Sequence, residues 1–335
     1  MRHFISTEDW TQAELQALID EARLLKAAPF QPLLQNKSIA LVFFNPSLRT
    51  RSSFELGMWQ LGGHALVLEP GKSAWPLEFK EGVVMDGEAE EHVAEAARVL
   101  ARYCDIIAVR AFPKFVDWGF DRTDPVIKTF AKYSTVPVIN METITHPCQE
   151  LAHMMALQER MGDVRKKKYV MTWTYHPKGL NTAVANSGLL ISTKFGMDVT
   201  LLCPEEAYHL DERYMSAAKA NAEASGGSFQ VSYDIDEAYA GADVVYAKSW
   251  GALPYFGNWD AEKPMRDKYK HFIVDERKMA LTNNAIFSHC LPCRRNIKVT
   301  DAVIDSPQSM VIDEAENRLH AQKALMHQLA TTYRG

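Results

Sequence analysis

The chain has 335 residues, enough for two domains of ordinary size. Apolar residues are 47% and charged residues 24%, and a formal charge of −5 leaves no basic footprint for nucleic acid. No apolar run approaches the ~20 residues of a membrane span, the opening residues lack a signal-peptide core, and five cysteines do not suggest a disulfide framework, so the expectation is a cytoplasmic protein with no membrane partner.

Thr11-Gln12-Ala13-Glu14 has the spacing of a capping box and opens a predicted helix to about Ala27, with Leu15, Leu18, Ile19 and Ala22 on one face. Ser38 to Phe44 is a short apolar run suited to a strand covered on both faces. Asn45-Pro46 breaks it, and Phe54, Met58 and Leu61 then mark a helix over Arg51 to Leu61. The hydroxyls and guanidiniums of Ser47-Leu48-Arg49-Thr50-Arg51 crowd that helix start, where free N–H groups and the dipole favour an anion. Two readings follow: a phosphate cradle using the planar forks of Arg49 and Arg51, or a plain N-cap with two solvated arginines.

His64 to Leu68 is a second short strand. Glu69 to Gly87 has no clear period and carries Trp75, and a loop this long in a compact domain is usually functional or disordered. A helix is predicted over Glu88 to Tyr103, with Glu88, Glu90 and Glu91 in its first turn. Strands at Asp105 to Arg110 and Val136 to Met141 flank a helix at Val126 to Tyr133, and deliver Arg110 and Glu142 at their ends. Pro147 opens a helix to about Met161, and the basic stretch Gly162 to Lys168 is read as a domain junction. Strands follow at Tyr169–Thr172, Val199–Leu202, Phe229–Ser232, Val244–Ala247, Phe272–Val274 and Ile286–Ser288, with helices at Asn181–Phe195, Asp211–Ala224, Asp236–Ala240 and Glu276–Leu281 between them. A long amphipathic helix over about Glu314 to Thr332 comes last. Alternation of this kind implies α/β architecture with two doubly wound parallel-sheet domains, and ligands of such folds bind at strand ends, here expected in a cleft between the two.

Four motifs in order carry a resemblance: Ser47-Leu48-Arg49-Thr50-Arg51, His146-Pro147-Cys148-Gln149, His289-Cys290-Leu291-Pro292 and Glu316-Asn317-Arg318. Together they resemble the aspartate/ornithine carbamoyltransferases over nearly the whole chain. The resemblance implies a carbamoyl phosphate-binding domain over residues 1–146, joined by the C-terminal helix at about 314–335. It also implies an acceptor domain over 147–313 that includes the linking helix 147–161. Carbamoyl phosphate is then expected to meet Ser47, Leu48, Arg49, Thr50, Arg110, His146, Pro147, Cys148, Gln149, Cys290, Leu291 and Arg318. Arg49, Thr50, Arg110, His146 and Cys290 are the expected catalytic set. In the family the long loop reaches the neighbouring subunit, which implies a homotrimer with shared active sites and Trp75 acting in trans. No metal or organic cofactor is implied, because the activated group arrives on the substrate.

Cys290-x-x-Cys293 leaves a second class open, a thiol–disulfide couple or half a zinc site. On the acceptor side, ornithine-using members read an α-ammonium with an aspartate, whereas Lys248 stands at that place here. A lysine repels an ammonium and attracts a carboxylate. The pattern resembles the acetylornithine branch of the family, with N2-acetyl-L-ornithine as acceptor, N-acetyl-L-citrulline as product and a place in arginine biosynthesis. Plain ornithine and N-succinylornithine remain the alternatives. Glu142, Lys248 and Leu291 are expected on the acceptor, Glu90 as the acyl selector, and Lys298 as a lysine carboxylated on its ε-nitrogen.

Overall fold

The computed structural model describes residues 2–332, in which two compact units are built from residues 2–113, 119–148 and 317–332, and from 114–118 and 149–316. Among the described residues no helix is long and apolar enough to cross a membrane.

The first unit opens with α1 (Gln12–Ala27) on the expected capping box: Thr11 Oγ1 accepts from the Glu14 N–H, and the Glu14 carboxylate accepts from the Thr11 N–H. Then come β1 (Ser38–Phe43), α2 (Leu48–Gln60), β2 (His64–Leu68), β3 (Leu77–Glu78), β4 (Glu91–His92), α3 (Val93–Tyr103), β5 (Ile106–Arg110), α4 (Trp118–Asp121), α5 (Pro125–Tyr133) and β6 (Val138–Glu142); α6 (Pro147–Met161) follows and belongs to the second unit from residue 149 on. The sheet runs β2-β1-β5-β6, every pair parallel. Apart from half-buried Ser38 and the terminal Arg110, its central strands are apolar and buried, as a sheet covered on both faces requires.

The register sets Phe43 beside Arg110 and Arg110 beside Glu142, so β1, β5 and β6 finish level. Helix α2 starts three residues earlier than its apolar stripe predicts. Ser47 is the N-cap and its hydroxyl accepts from the Thr50 N–H at 3.1 Å, which draws Arg49 and Thr50 into the first turn. The helix predicted from Glu88 instead starts at Val93. Glu91 and His92 pair with Leu77 and Glu78, and His92 Nδ1 caps the helix by accepting from the Ala94 N–H.

The second unit contains β7 (Lys168–Trp173), α7 (Ala183–Lys194), β8 (Asp198–Leu202), α8 (Glu212–Ser225), β9 (Ser228–Ser232), α9 (Ile235–Tyr239), β10 (Val244–Lys248), α10 (Trp259–Arg266), α11 (Glu276–Met279), β11 (Ile286–Ser288) and α12 (Asp301–Ile304). Its sheet runs β11-β10-β7-β8-β9, again all parallel. Phe272–Val274 is not a strand, because only Val274 makes a bridge, to Val299. Gly162 to Lys168 is no junction either, since it lies wholly inside this unit. Trp259 lies against the bare Cα atoms of Gly179 and Gly251, where an added Cβ would sit 2.4 Å from the indole in each case.

Helix α13 (Val311–Thr332) begins in the second unit and ends in the first. There Lys323, buried, donates to the carbonyls of Leu25 and Pro29 and to Gln60 Oε1 at 2.8–3.1 Å. All three donors of the ammonium are thus taken.

Candidate active site

At the ends of β1, β5 and β6 the first unit gathers guanidinium groups around one hydroxyl. Thr50 is fully buried, and its Oγ1 accepts from Arg110 Nη1 at 3.4 Å and Arg318 Nη2 at 2.8 Å. Arg110 also donates to Glu142 Oε2 at 2.5 Å, and His146 Nε2 is 3.4 Å from the same oxygen. Burial lowers the Arg318 pKa to about 10, with Arg110 and Arg49 adding like-charge repulsion, so it stays charged at neutral pH. Arg110 and Arg318 therefore converge on Thr50, with Glu142 beside Arg110 and the Arg49 charge near Arg318, and the α2 N-terminus adds its free N–H groups. The set is suited to a multiply charged oxyanion such as a phosphate. Arg51, read from sequence as a second fork, instead turns outward to Glu55 at 3.0 Å and is half exposed.

Other residues of the expected set are placed differently. Leu48 is exposed, and Pro147 opens α6 directly after buried His146. Cys148 is buried, its thiol donating to the Asn140 carbonyl at 3.4 Å, and burial pushes it up to about 12. Gln149 belongs to the second unit and donates to Glu314 Oε1 at 2.5 Å. Trp75 is 64% exposed in the long loop. Glu90 is exposed and lies just before β4, outside any helix, so the helix dipole does not account for an acid there.

In the second unit the ends of β10 and β11 bring Lys248 and Cys290 together, with Nζ 3.3 Å from Sγ. Leu291 follows with φ 51°. Lys298 is no surface lysine: it is 2% exposed, and its Nζ is 3.4 Å from His289 Nε2. Burial, then the Lys248 ammonium, lower its pKa to about 7. His289 Nδ1 accepts from the Leu291 N–H at 2.9 Å. His176, which carried no sequence signal, accepts from Arg294 Nε at 3.0 Å, and burial lowers its pKa to about 4. Lys248, Lys298 and Arg294 make this corner basic, as a carboxylate-bearing ligand needs. Trp250 is core, donating to the Tyr208 carbonyl at 2.8 Å. Cys293 is free, and burial pushes its thiol up to about 11, away from the thiolate that a redox couple or zinc ligand requires. Among the described residues no three His, Cys, Asp or Glu side chains are grouped as a metal ion would need.

Comparison with known proteins bears on both units. Residues 2–159 match the aspartate/ornithine carbamoyltransferase carbamoyl-P binding domain, and residues 174–329 match the Asp/Orn binding domain of the same family. The N-acetylornithine carbamoyltransferase of Xanthomonas axonopodis pv. citri is 70% identical over 99% of this chain and 97% of its own length. The N-succinylornithine carbamoyltransferase of Bacteroides thetaiotaomicron is 40% identical over 95% of each. A crystal structure of acetylornithine transcarbamylase complexed with acetylcitrulline superposes with a TM-score of 0.97, at 70% identity, covering 98% of this chain and 99% of that one. Two all-parallel sheets, an arginine-ringed hydroxyl at the strand ends of the first, and domain matches along both halves agree: the chain belongs to the aspartate/ornithine carbamoyltransferase family.

Proposed function

We propose that this carbamoyltransferase moves the carbamoyl group of carbamoyl phosphate to the δ-amine of N2-acetyl-L-ornithine, giving N-acetyl-L-citrulline and phosphate, within arginine biosynthesis. The observation that carries the acceptor is Lys248. Its ammonium stands at the end of β10, beside Cys290, where an ornithine-reading enzyme of the family has an aspartate. A cation there selects an amino acid whose α-nitrogen is masked and whose carboxylate is free. The 70% identity to enzymes named for acetylornithine supports the same choice over the 40% identity to a succinylornithine enzyme.

The amine lone pair attacks the carbamoyl carbon, a C–N bond forms, the bond from carbon to the phosphate oxygen breaks, and the departing phosphate takes the amine proton. Arg49, Arg110 and Arg318 hold the phosphate dianion, with the backbone from Ser47 through Leu48 to Thr50 at the helix start. Thr50 already accepts from Arg110 and Arg318, so its own O–H is the part left to donate, and with Arg110 and His146 it steadies the developing oxyanion. Cys290 and Leu291 line the carbamoyl site, and Glu142, Lys248 and Leu291 orient the acceptor. Metal and organic cofactors have no part in these steps. Trp75 acts on the site of the next subunit in a cytoplasmic homotrimer.

Lys298 is carboxylated in this reading. His289 Nδ1 accepts a backbone N–H, so the neutral ring carries its proton on Nε2 and aims it at Lys298. An ammonium there would set donor against donor. A neutral amine adds to carbon dioxide, forming an N–C bond and losing a proton, and the carbamate oxygen then accepts from His289 with Lys248 as counter-charge.

The test is one assay of carbamoyl phosphate with ornithine, N-acetylornithine, N-succinylornithine and aspartate, scored for the citrulline-type product. Acetylornithine should exceed each of the others by at least about tenfold in kcat/KM, a difference of about 1.4 kcal/mol. Ornithine as the best acceptor would overturn the reading.

A further inference from the structure

Beneath Lys248 and Cys290, still within the second unit, lies a closed polar cluster centred on Glu314. The residue sits in the first turn of α13 and has no exposed surface. Glu314 Oε1 accepts from Gln149 Nε2 at 2.5 Å, and the Tyr246 hydroxyl lies 3.3 Å from it and equally from Glu150 Oε1, sharing its one proton between the two acids. Glu314 Oε2 lies 2.8 Å from His153 Nδ1 and accepts a short hydrogen bond from the Ser288 hydroxyl. Burial opposes ionisation, but His153, Ser288 and Gln149 outweigh it and hold the carboxyl below its usual range. Glu150, also fully buried, is pushed the other way, upward, by burial and then by the Glu314 charge.

Where the donors come from matters more than their number. Tyr246 and Ser288 are direct register partners on the adjacent parallel strands β10 and β11. Side chains two residues apart on a strand share a face. Two residues beyond Tyr246, on the same face of β10, is Lys248, and Cys290 follows two residues after Ser288, just past the end of β11; the two are in contact at 3.3 Å. One carboxylate thus clamps both strands one pleat behind the residues they present, and Gln149 and His153 tie it to α6 as well.

We infer that Glu314 is the positioning residue of the acceptor site: through Tyr246 and Ser288 it sets the spacing of Lys248 and Cys290, and with it recognition of the acceptor's carboxylate. This rests on the acceptor reading above. A misplacement of ~1 Å far from the chemistry costs up to about a hundredfold in rate, so a slackened clamp should be visible in kinetics.

The experiment compares the wild type with Glu314→Gln, Tyr246→Phe and Ser288→Ala, measuring KM for acetylornithine and for carbamoyl phosphate separately, alongside thermal midpoints. Glu314→Gln keeps the shape but turns an amide donor toward existing donors. The acceptor KM should rise about tenfold, with the carbamoyl phosphate KM within about twofold. Tyr246→Phe and Ser288→Ala each remove one tie and should give smaller rises in the same direction. They decide the matter if Glu314→Gln does not fold. Loss of kcat with both KM values unchanged, or a lowered midpoint alone, would make Glu314 a structural acid and overturn the inference. If the wild type does not carbamoylate acetylornithine at all, the acceptor reading fails first, before any variant is compared.

Discussion

Thr50 and Arg318 stand 268 residues apart in the chain and 2.8 Å apart in space, the buried hydroxyl accepting from the guanidinium Nη2. The same oxygen receives Arg110 at 3.4 Å. Thr50→Val keeps the volume and removes the acceptor both arginines share. We expect it to lose about 1–3 kcal/mol of stability, the cost of leaving buried donors unpaired, and to weaken carbamoyl phosphate binding in calorimetry. Thr50→Ser should recover most of both. A valine variant that binds carbamoyl phosphate normally would show that the hydroxyl does not organise the cradle.

Lys298 makes stability depend on pH with a fixed sign. Unmodified, it loses its proton near pH 7 in the folded chain, against an ordinary value of 10.5 in the unfolded one. Between those values the unfolded state binds the extra proton, so stability should rise with pH across the window, and the penalty of burying an ammonium is felt in full below about pH 7. Lys298→Met should flatten that rise in urea titrations at a series of pH values. Carbon-labelled bicarbonate should give the wild type, and not the variant, a carbamate resonance. The lysine is an ordinary amine if no such resonance forms.

Glu90 is expected to exclude an acceptor that carries a second carboxylate. Its exposure in the single chain screens it, so the effect belongs at the low end of like-charge repulsion, about 1 kcal/mol or somewhat more. Glu90→Pro or Glu90→Ala should raise the ratio of succinylornithine to acetylornithine kcat/KM by about tenfold. An unmoved ratio would place the acyl selector elsewhere.

Trp259 gives a packing prediction with no catalytic content. Gly251→Ala puts a methyl group 2.4 Å from the indole, as does Gly179→Ala. Each should cost about 1–3 kcal/mol by overpacking, seen as a lowered midpoint and altered tryptophan fluorescence. Trp259→Leu should make Gly251→Ala tolerable, and a Gly251→Ala chain as stable as the wild type would remove the contact.

Local rules made much of this legible in the sequence. The capping box at Thr11, the strand run before Asn45, and the parallel alternation follow from propensity and period, and the structure carries them. Ser47 to Thr50 could be read because a helix start, its cap and its arginines are neighbours in the chain. Glu90 was misread as a helix acid because the pairing of Glu91 with Leu77 is a contact across a loop. Pro264 hid α10, since a proline normally ends a helix, yet here it lies inside one. Lys298 and Lys323 look like any lysine until folding buries them. His176 and the Glu314 cluster were invisible for the same reason, because their partners are tens to hundreds of residues away.

Lys323 also bears on the order in which the molecule can be made. Its ammonium satisfies the carbonyls of Leu25 and Pro29 and the Gln60 amide, groups synthesised early, from a helix synthesised late. Arg318 stands in the same relation to Thr50. A domain usually folds as a unit while the ribosome is still at work, N-terminal part first. In this chain the unit begun first lacks its closing piece until position 323 has emerged, whereas residues 149–316 are all available sooner. The part of the enzyme that starts earliest is therefore finished last, and a nascent chain stalled before position 318 would hold Thr50 and Arg110 without the Arg318 that shares the same hydroxyl.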